Sequence, residues 1–351
     1  MRIAFVLPRD KNEIIGGFKV VYEYANRLAY RGHEISIIYN NENTLEKVKM
    51  PSSFKRMAIN LRTHIYPTWF ALDPTIKKES YFGNGFIDEP FDAVFATSVG
   101  SVRATLKAFS GANLFYLIQD YENWDVGNDY VISTYNMGFH NIVVSEWLKK
   151  IVEDATGKEP YLLSNPIDLE TYKLYKSIGD REPHSVGLLY HNSQHKGLKY
   201  SFEALYTLKE LYPDLHVEMF GSPKRPQNLP DWFHYSQKAS TEKTVEIYNK
   251  IAVFMCSSID EGFGLTGMEA IACGAALAST DYTGVHEYAK DEFNALLCQV
   301  KDVEAMVNNV KRLMDNVELR NSFYNNSQTI LCERTWDKSV SQLEKIICST
   351  L

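Results

Sequence analysis

The chain has 351 residues, more than one hydrophobic core usually supports, so two domains are the expectation. A hydrophobic content of 45% with 23% charged residues is that of a globular protein and excludes a disordered one. The formal net charge of −7 argues against nucleic-acid binding, which asks for a strongly basic face, and no apolar run approaches the ~18 residues that cross a bilayer.

Arg2-Ile-Ala-Phe-Val-Leu7 reads as a buried first strand, too short and too strand-like for a secretory signal, so a cytoplasmic protein is expected. Pro8 to Gly17 reads as a loop. Apolar residues at 18, 21, 24, 25 and 28 then form a helical stripe to Tyr30, ended by Arg31-Gly32, and Ile35–Tyr39 follows as a second strand. Strand, helix, strand within about forty residues is a βαβ unit and implies a parallel sheet. Gly16-Gly17 lies between the first strand and the helix. There, backbone N–H groups can approach a phosphate or an acceptor with no Cβ in the way, although an ordinary loop pair has the same sequence.

Residues 45–90 give the weakest pattern and suit an acceptor-side insertion. Short apolar strands are expected at Ala93–Ala96, Leu114–Ile118 and Asn141–Val144. The second half repeats the alternation, with strands at Ser185–Tyr190, Leu215–Phe220, Ile251–Cys256 and Ala275–Ala278. Helices fall around 198–211, 242–250 and 303–315, and a last one near Asp337–Ile347. The five cysteines have no metal-ligand spacing and read as buried free thiols.

The most informative segment follows the 251–256 strand: Ser-Ser-Ile-Asp-Glu261-Gly-Phe-Gly-Leu-Thr-Gly-Met-Glu269-Ala-Ile-Ala-Cys-Gly274. On one continuous helix the two glutamates would stand about 12 Å apart along the axis and about 80° apart around it, and would not converge. If Gly262 and Gly264 make a turn and the helix opens near Gly267, Glu261 lies beside the helix mouth and Glu269 in the first turn. The N–H groups of Phe263, Gly264 and Leu265 and the positive helix end would face an anion, and the carboxylates would accept from sugar hydroxyls. A second reading of Thr266-Gly-Met-Glu269 is a capping box, which leaves Glu261 unexplained.

Glu-Gly-Phe-Gly-Leu-x-x-x-Glu-Ala-x-Ala-x-Gly resembles the signature of retaining GT-B glycosyltransferases, in particular the family-4 group of nucleotide-sugar enzymes. Ala278-Ser-Thr-Asp-Tyr-Thr-Gly284-Val-His-Glu287 is similar to that family's next strand and glycine-rich loop. The resemblance implies an α/β GT-B fold of two Rossmann-like domains facing a central cleft. Residues 1–166 would form the acceptor side, 167–335 the donor side, and 336–351 a helix returning to the first domain. Ser164-Asn-Pro-Ile-Asp168 resembles the family's hinge region, with Pro166 in place of a glycine.

The resemblance also implies roles. Lys196 before Gly197 would hold the donor diphosphate and offset charge on the leaving phosphate. Its expected arginine partner is replaced by His191, so either His191 acts as a pH-sensitive donor or Lys224 or Arg225 substitutes. Glu269 would hold the ribose, and Glu261 with the Gly262–Thr266 turn the donor sugar. Gln119-Asp120-Tyr-Glu122 stands where many members carry a histidine and resembles a run in some bacterial polysaccharide rhamnosyltransferases. Glu287 would bind the donor or favour the start of a following helix.

The implied activity is retaining transfer of a sugar from a nucleotide diphosphate donor to a saccharide or lipid-linked glycan, with no cofactor and no metal. A GT-B epimerase and a silent sugar-nucleotide binder are the competing readings. The basic clusters Lys55-Arg56-Met57 with Arg62, Lys77-Lys78, and Trp147-Leu-Lys149-Lys150 suit either peripheral contact with anionic lipid or solvated helix faces.

Overall fold

The computed structural model describes residues 1–44, 51–83, 85–87, 89–109 and 111–351. Of the expected insertion at 45–90, positions 45–50, 84 and 88 lie outside the described residues. The chain divides into two compact units, Met1–Ser164 with Ser339–Leu351, and Asn165–Lys338.

In the first unit, β1 (Arg2–Leu7), α1 (Gly16–Tyr30), β2 (Glu34–Asn40), α2 (Ser52–Ile65) and β3 (Lys77–Tyr81) form one half of a doubly wound sheet. The other half is β4 (Ala93–Ala96), α3 (Val99–Ala108), β5 (Asn113–Ile118), α4 (Asn128–Tyr135), β6 (His140–Val143), α5 (Glu146–Thr156) and β7 (Tyr161–Leu162). All pairings are parallel in the order β3-β2-β1-β4-β5-β6-β7, so the winding reverses between β1 and β4. Strands buried on both faces read as unbroken apolar runs, which is why β1 and β4 stand out in sequence. The register places Phe5, Phe95 and Phe115 side by side, with ring centroids 5.0 and 4.8 Å apart. This aromatic ladder, each ring contributing about 1.5–3 kcal/mol by burial, fixes the alignment of the three strands whose ends carry the first unit's polar loops.

The second unit repeats the plan with β8 (Ser185–Tyr190), α6 (Leu198–Leu211), β9 (His216–Gly221), β10 (Phe233–Gln237), α7 (Thr241–Lys250) and β11 (Val253–Cys256). After these come α8 (Leu265–Ala272), β12 (Ala276–Thr280), β13 (Ala295–Cys298), α9 (Val303–Met314) and α10 (Val317–Leu331). Its order is β10-β9-β8-β11-β12-β13, all parallel, and the winding reverses between β8 and β11. Buried Arg181 donates to the carbonyls of Tyr248, Ile251 and Cys273, at 3.0, 2.9 and 2.6 Å, joining the ends of α7 and α8. Burial pushes its pKa down to about 10, and the carbonyl dipoles at the two helix ends favour its charge.

The last helix, α11 (Trp336–Cys348), belongs to the first unit from Ser339 on, together with the residues that follow it to Leu351. Ser339 bonds Tyr24 at 2.5 Å, Glu344 meets Arg31 and His33, and Gln342 donates to the Leu162 carbonyl at 2.7 Å. Within the second unit, Asp168 of the hinge-like motif accepts from the Glu170 backbone at 3.1 Å and from the Thr171 hydroxyl at 2.9 Å, and Ile167 pairs with Thr335. The cysteines are free, but of the five only Cys273 and Cys298 are buried; Cys256 is half-buried, and Cys332 and Cys348 are exposed because they fall on outer positions of helix ends. Among the described residues no helix is long and apolar enough to cross a membrane.

Candidate functional site

In doubly wound sheets the crevice at the carboxyl ends of the two strands flanking the winding reversal is where ligands bind. In the second unit those strands are β8 and β11, and the loops that leave them carry Lys196 and Glu261. The two loops are stapled together. Ile259 N–H donates to the His195 carbonyl at 2.6 Å, Ser257 Oγ donates to the Gly197 carbonyl at 2.9 Å, and Ser257 meets Ser201 at 2.6 Å.

This places the Lys196 ammonium directly on Glu261 Oε1, while Glu261 Oε2 accepts from Ser258 Oγ at 3.0 Å. The lysine and glutamate side chains are only 16% and 15% exposed, so the pair is largely shielded from water yet reachable. Lys196 and Glu261, expected in separate roles, are each other's partner. Lys196 is therefore half-neutralised by a carboxylate, and Ser258 orients that carboxylate. Ser258 carries no signal of this role in the sequence, because no spacing rule marks a hydroxyl three residues before a glutamate.

The glycines of the turn answer to close packing. Gly264, at φ 92°, occupies the N-cap of α8, and a Cβ there would lie 1.9 Å from the Tyr282 hydroxyl. That hydroxyl is bonded to Tyr288 at 2.7 Å, and both rings are buried. Gly284, which follows β12, lies so close that a Cβ would stand 2.6 Å from the Glu261 carbonyl oxygen and 2.7 Å from Gly262. The Glu261–Gly262 turn is thus clamped between a buried tyrosine pair and a glycine loop. Leu265 and Thr266 are the first residues of α8, whose positive end opens at this turn. The Phe263 side chain is buried against Tyr288, with ring centroids 5.6 Å apart, and lies under Arg334, so only its backbone is available to a ligand.

Four expectations change. Because α8 begins at Leu265 and not near Gly267, Glu269 sits at the start of the second turn. The capping-box alternative for Thr266 and Glu269 fails, since Gly264 takes the cap and α8 has no side-chain cap. Glu269 instead accepts from the Tyr248 hydroxyl at 3.2 Å, a buried partner from α7 with no signal in the local sequence. Glu287 ends a short 3-10 turn followed by β13, so it starts no helix, and its side chain pairs with Arg334 at 3.3 Å.

His191 does not replace the expected arginine charge. Burial, Lys196 and His195 all push its pKa below the ordinary histidine value, and Nδ1 accepts from the Ser193 N–H at 3.1 Å. It stands as a neutral ring with Nε2–H free to donate. Arg225 lies in the loop after β9, donating to the Leu229 carbonyl at 3.3 Å. It lines a separate groove of about 450 Å³ with Glu218, Asp231, His234, Lys243 and Lys250, not the cavity lined by Lys196, Ser258, Glu261 and Thr266.

The first unit's reversal, between β1 and β4, gathers a second set. Gly16 and Gly17 are the first two residues of α1, not a loop before it, and Gly17 faces the Gln119 amide, where an added Cβ would lie 3.3 Å away. Gln119 also donates to the Thr97 carbonyl at 3.3 Å, and Asp120 accepts from the Tyr121 N–H at 2.8 Å. Glu122 accepts from the Val99 N–H at 2.5 Å, at the mouth of α3, and burial with Asp120 nearby raises its pKa to about 7 despite that bond. Among the described residues no group of three or more His, Cys, Asp or Glu side chains could hold a metal ion.

Residues 186–329 match the family model described as Glycosyl transferases group 1. An uncharacterized glycosyltransferase of Methanocaldococcus jannaschii is 27% identical over 121 residues, 34% of this chain and 31% of that protein. The GtfA subunit of UDP-N-acetylglucosamine–peptide N-acetylglucosaminyltransferase of Streptococcus pneumoniae is 24% identical over 190 residues, 51% of this chain and 38% of the relative. These matches span about a third of the length of the curated relatives. Among solved structures, sucrose-phosphate synthase from Thermosynechococcus elongatus superposes with a TM-score of 0.76 at 13% identity, covering 100% of this chain and 99% of the other. HepE of Anabaena, solved with UDP and glucose, gives 0.73 at 15% identity and covers 100% of both chains. The chain therefore has the GT-B glycosyltransferase fold, and its residues 186–329 are similar to group 1 glycosyl transferases.

Proposed function

We propose that this protein is a retaining glycosyltransferase that moves a hexosyl or deoxyhexosyl group from a nucleotide diphosphate-sugar to a hydroxyl of a saccharide or lipid-linked glycan. The observation that carries the reading is the Lys196–Glu261 pair at the β8/β11 reversal, with the opening of α8 beside it. A bound diphosphate would draw the Lys196 ammonium and the N–H groups of the 262–265 turn. Glu261, relieved of part of its partner, would then accept from hydroxyls of the donor sugar, with Ser258 holding its other oxygen in place. Glu269, held by Tyr248, would take the ribose hydroxyls.

In the transfer, the bond from the anomeric carbon to the phosphate oxygen breaks and the bond to the acceptor oxygen forms on the same face. The acceptor proton passes to the departing phosphate oxygen. Lys196 and the α8 opening offset the charge on that phosphate, so the chemistry draws on no metal. HepE, of the same fold, was solved with UDP-glucose, which favours a sugar nucleotide as the ligand class here. A role in surface polysaccharide synthesis on the cytoplasmic side, with peripheral contact to the membrane that carries a lipid-linked acceptor, completes the proposal.

A second reading, a sugar-nucleotide binder without transfer, is favoured by the low cation count: His191 is neutral and Lys196 already carries a carboxylate. Turnover of UDP-, dTDP- and GDP-sugars with a saccharide acceptor panel separates the two. Transfer product that disappears in Lys196→Ala and Glu261→Ala supports the enzyme. Thermal protection by a donor with no product supports the binder, and wild-type turnover in both variants removes the site assignment. Conversion of a donor with no acceptor present would instead mark an epimerase.

A further inference from the structure

Two loops make the mouth of α8: the 261–265 turn, and the Thr283–Glu287 3-10 turn after β12, which presses Gly284 on Glu261 and Gly262. Neither belongs to a sheet, so the place of the Phe263, Gly264 and Leu265 N–H groups depends on what ties the two loops together. At the exposed end the tie is slight: the Thr283 hydroxyl reaches the Asp260 carboxylate at 3.2 Å and the Glu261 carbonyl at 3.4 Å. At the buried end the tie is Arg334.

One guanidinium grips both loops. Its Nη2 donates to the Glu287 carbonyl and, at 3.3 Å, to the Glu287 carboxylate, the last residue of the second loop. Its Cζ lies 5.6 Å from the centroid of the Phe263 ring, a cation–π contact that holds the first loop by its one buried aromatic side chain. The backbone that carries the guanidinium is fixed in turn. The Arg334 carbonyl accepts from the Ile167 N–H at 2.8 Å, and Thr335 pairs with Ile167. Stability alone does not account for an arginine at this place. Its Nη1 is buried and meets no acceptor among the described residues, and burial pushes its pKa below the ordinary guanidinium value. Apolar residues at 287 and 334 would fill the same space with no donor left unmet, and such replacements of buried ion pairs are often neutral or stabilising. What the arginine adds is a set spacing between the loops.

We infer that Arg334 is a positioning residue for the phosphate-binding turn: acting through Phe263 and Glu287, it holds the N–H groups of residues 263–265 where a nucleotide diphosphate meets them. The inference rests on the proposed donor site and adds a residue that no spacing in the sequence connects to it. It also gives Glu287 its work, which is to anchor Arg334 at the base of the turn.

The experiment is calorimetric titration of the full chain with UDP, dTDP and GDP, well below the melting range of every variant, so that affinity is read apart from stability. Arg334→Met keeps the length and the apolar contact with Phe263 but loses the charge and the donors. It should bind the diphosphate that wild type binds about tenfold more weakly. Arg334→Lys keeps the cation over the ring and one donor for the Glu287 carbonyl, and should stay within about threefold of wild type. Glu287→Gln keeps the carbonyl that Arg334 bonds and should do the same. The deficit of Arg334→Met should persist between about 0.05 and 0.5 M salt, because the arginine acts through the loops. Wild-type affinity in Arg334→Met, with only a lowered melting temperature, would assign the arginine to the fold and overturn the inference. So would a lysine variant no better than the methionine one, or a deficit confined to low salt, which would place the guanidinium on the phosphate itself. Failure of the donor site is distinguishable: wild type then binds none of the three diphosphates and Lys196→Ala changes nothing, which removes both readings.

Discussion

Removal of the Glu261 carboxylate is the sharpest probe of the site, because it affects the empty protein and the nucleotide-bound protein in opposite directions. Breaking one half of a buried ion pair costs about 3–5 kcal/mol. With each side chain about one-sixth exposed, water restores part of that, and Glu261→Ala should destabilise the ligand-free protein by about 2–3 kcal/mol, including the acceptor lost to Ser258. For a unit of this size that lowers the melting temperature by about 4–12 °C. The same change frees Lys196 for a diphosphate. UDP, dTDP or GDP, whichever protects wild type, should bind Glu261→Ala up to about tenfold more tightly, adding about 1.4 kcal/mol of protection at equal concentration. Nucleotide diphosphates without sugar are the probe, since any contact of Glu261 with the sugar is then absent. Lys196→Ala should lose the protection altogether. Thermal unfolding monitored by intrinsic fluorescence reads all three proteins. If Glu261→Ala is as stable as wild type when empty, or is protected less than wild type by every diphosphate, the ion pair is not the element that receives the phosphate.

Gly284→Ala pushes a methyl group onto the Glu261 carbonyl and Gly262, so the turn must shift; diphosphate protection should fall at least about tenfold while circular dichroism stays that of wild type. His191 has a lowered pKa, so its neutral form is the one that suits the fold: the stability it contributes is present above the ordinary value of 6.5 and lost as pH falls through its lower folded pKa. His191→Gln should flatten the acid limb of melting temperature against pH, and an unchanged limb would assign it to other groups. Glu122 has the reverse sign. With its pKa raised to about 7, its contribution is fully present below the carboxylate's usual 4.5 and lost as pH rises through 7. Glu122→Gln keeps an oxygen for the Val99 N–H and should therefore gain stability relative to wild type between pH 6 and 8, measured by chemical denaturation.

Much of the fold was legible because central strands of a parallel sheet are buried on both faces and leave unbroken apolar runs. β1, β4 and β8 fall on their expected residues, and α6 does as well. The strands that sequence alone did not pick out are β3, β7, β10 and β13, the four edge strands of the two sheets, although Ala295-Leu-Leu-Cys298 of β13 is itself a short apolar run. Lys77-Lys-Glu-Ser-Tyr81 and Phe233-His-Tyr-Ser-Gln237 are half solvated and mix polar with apolar residues, so neither period dominates.

For the site, sequence alone determined the local chemistry: a glycine-broken turn after a buried strand, carrying Glu261 and opening a helix, and a lysine after the equivalent strand. Only the tertiary structure decided the partners, because each comes from a distant stretch of chain brought alongside by the winding of the sheet. Lys196 meets Glu261 because β8 and β11 are neighbours across the reversal; Tyr248 reaches Glu269 because α7 packs beside α8; Arg334 claims Glu287 from 47 residues away. A side chain's residue type and local spacing are written in the sequence, whereas what neutralises its charge is set by packing between elements that are remote along it.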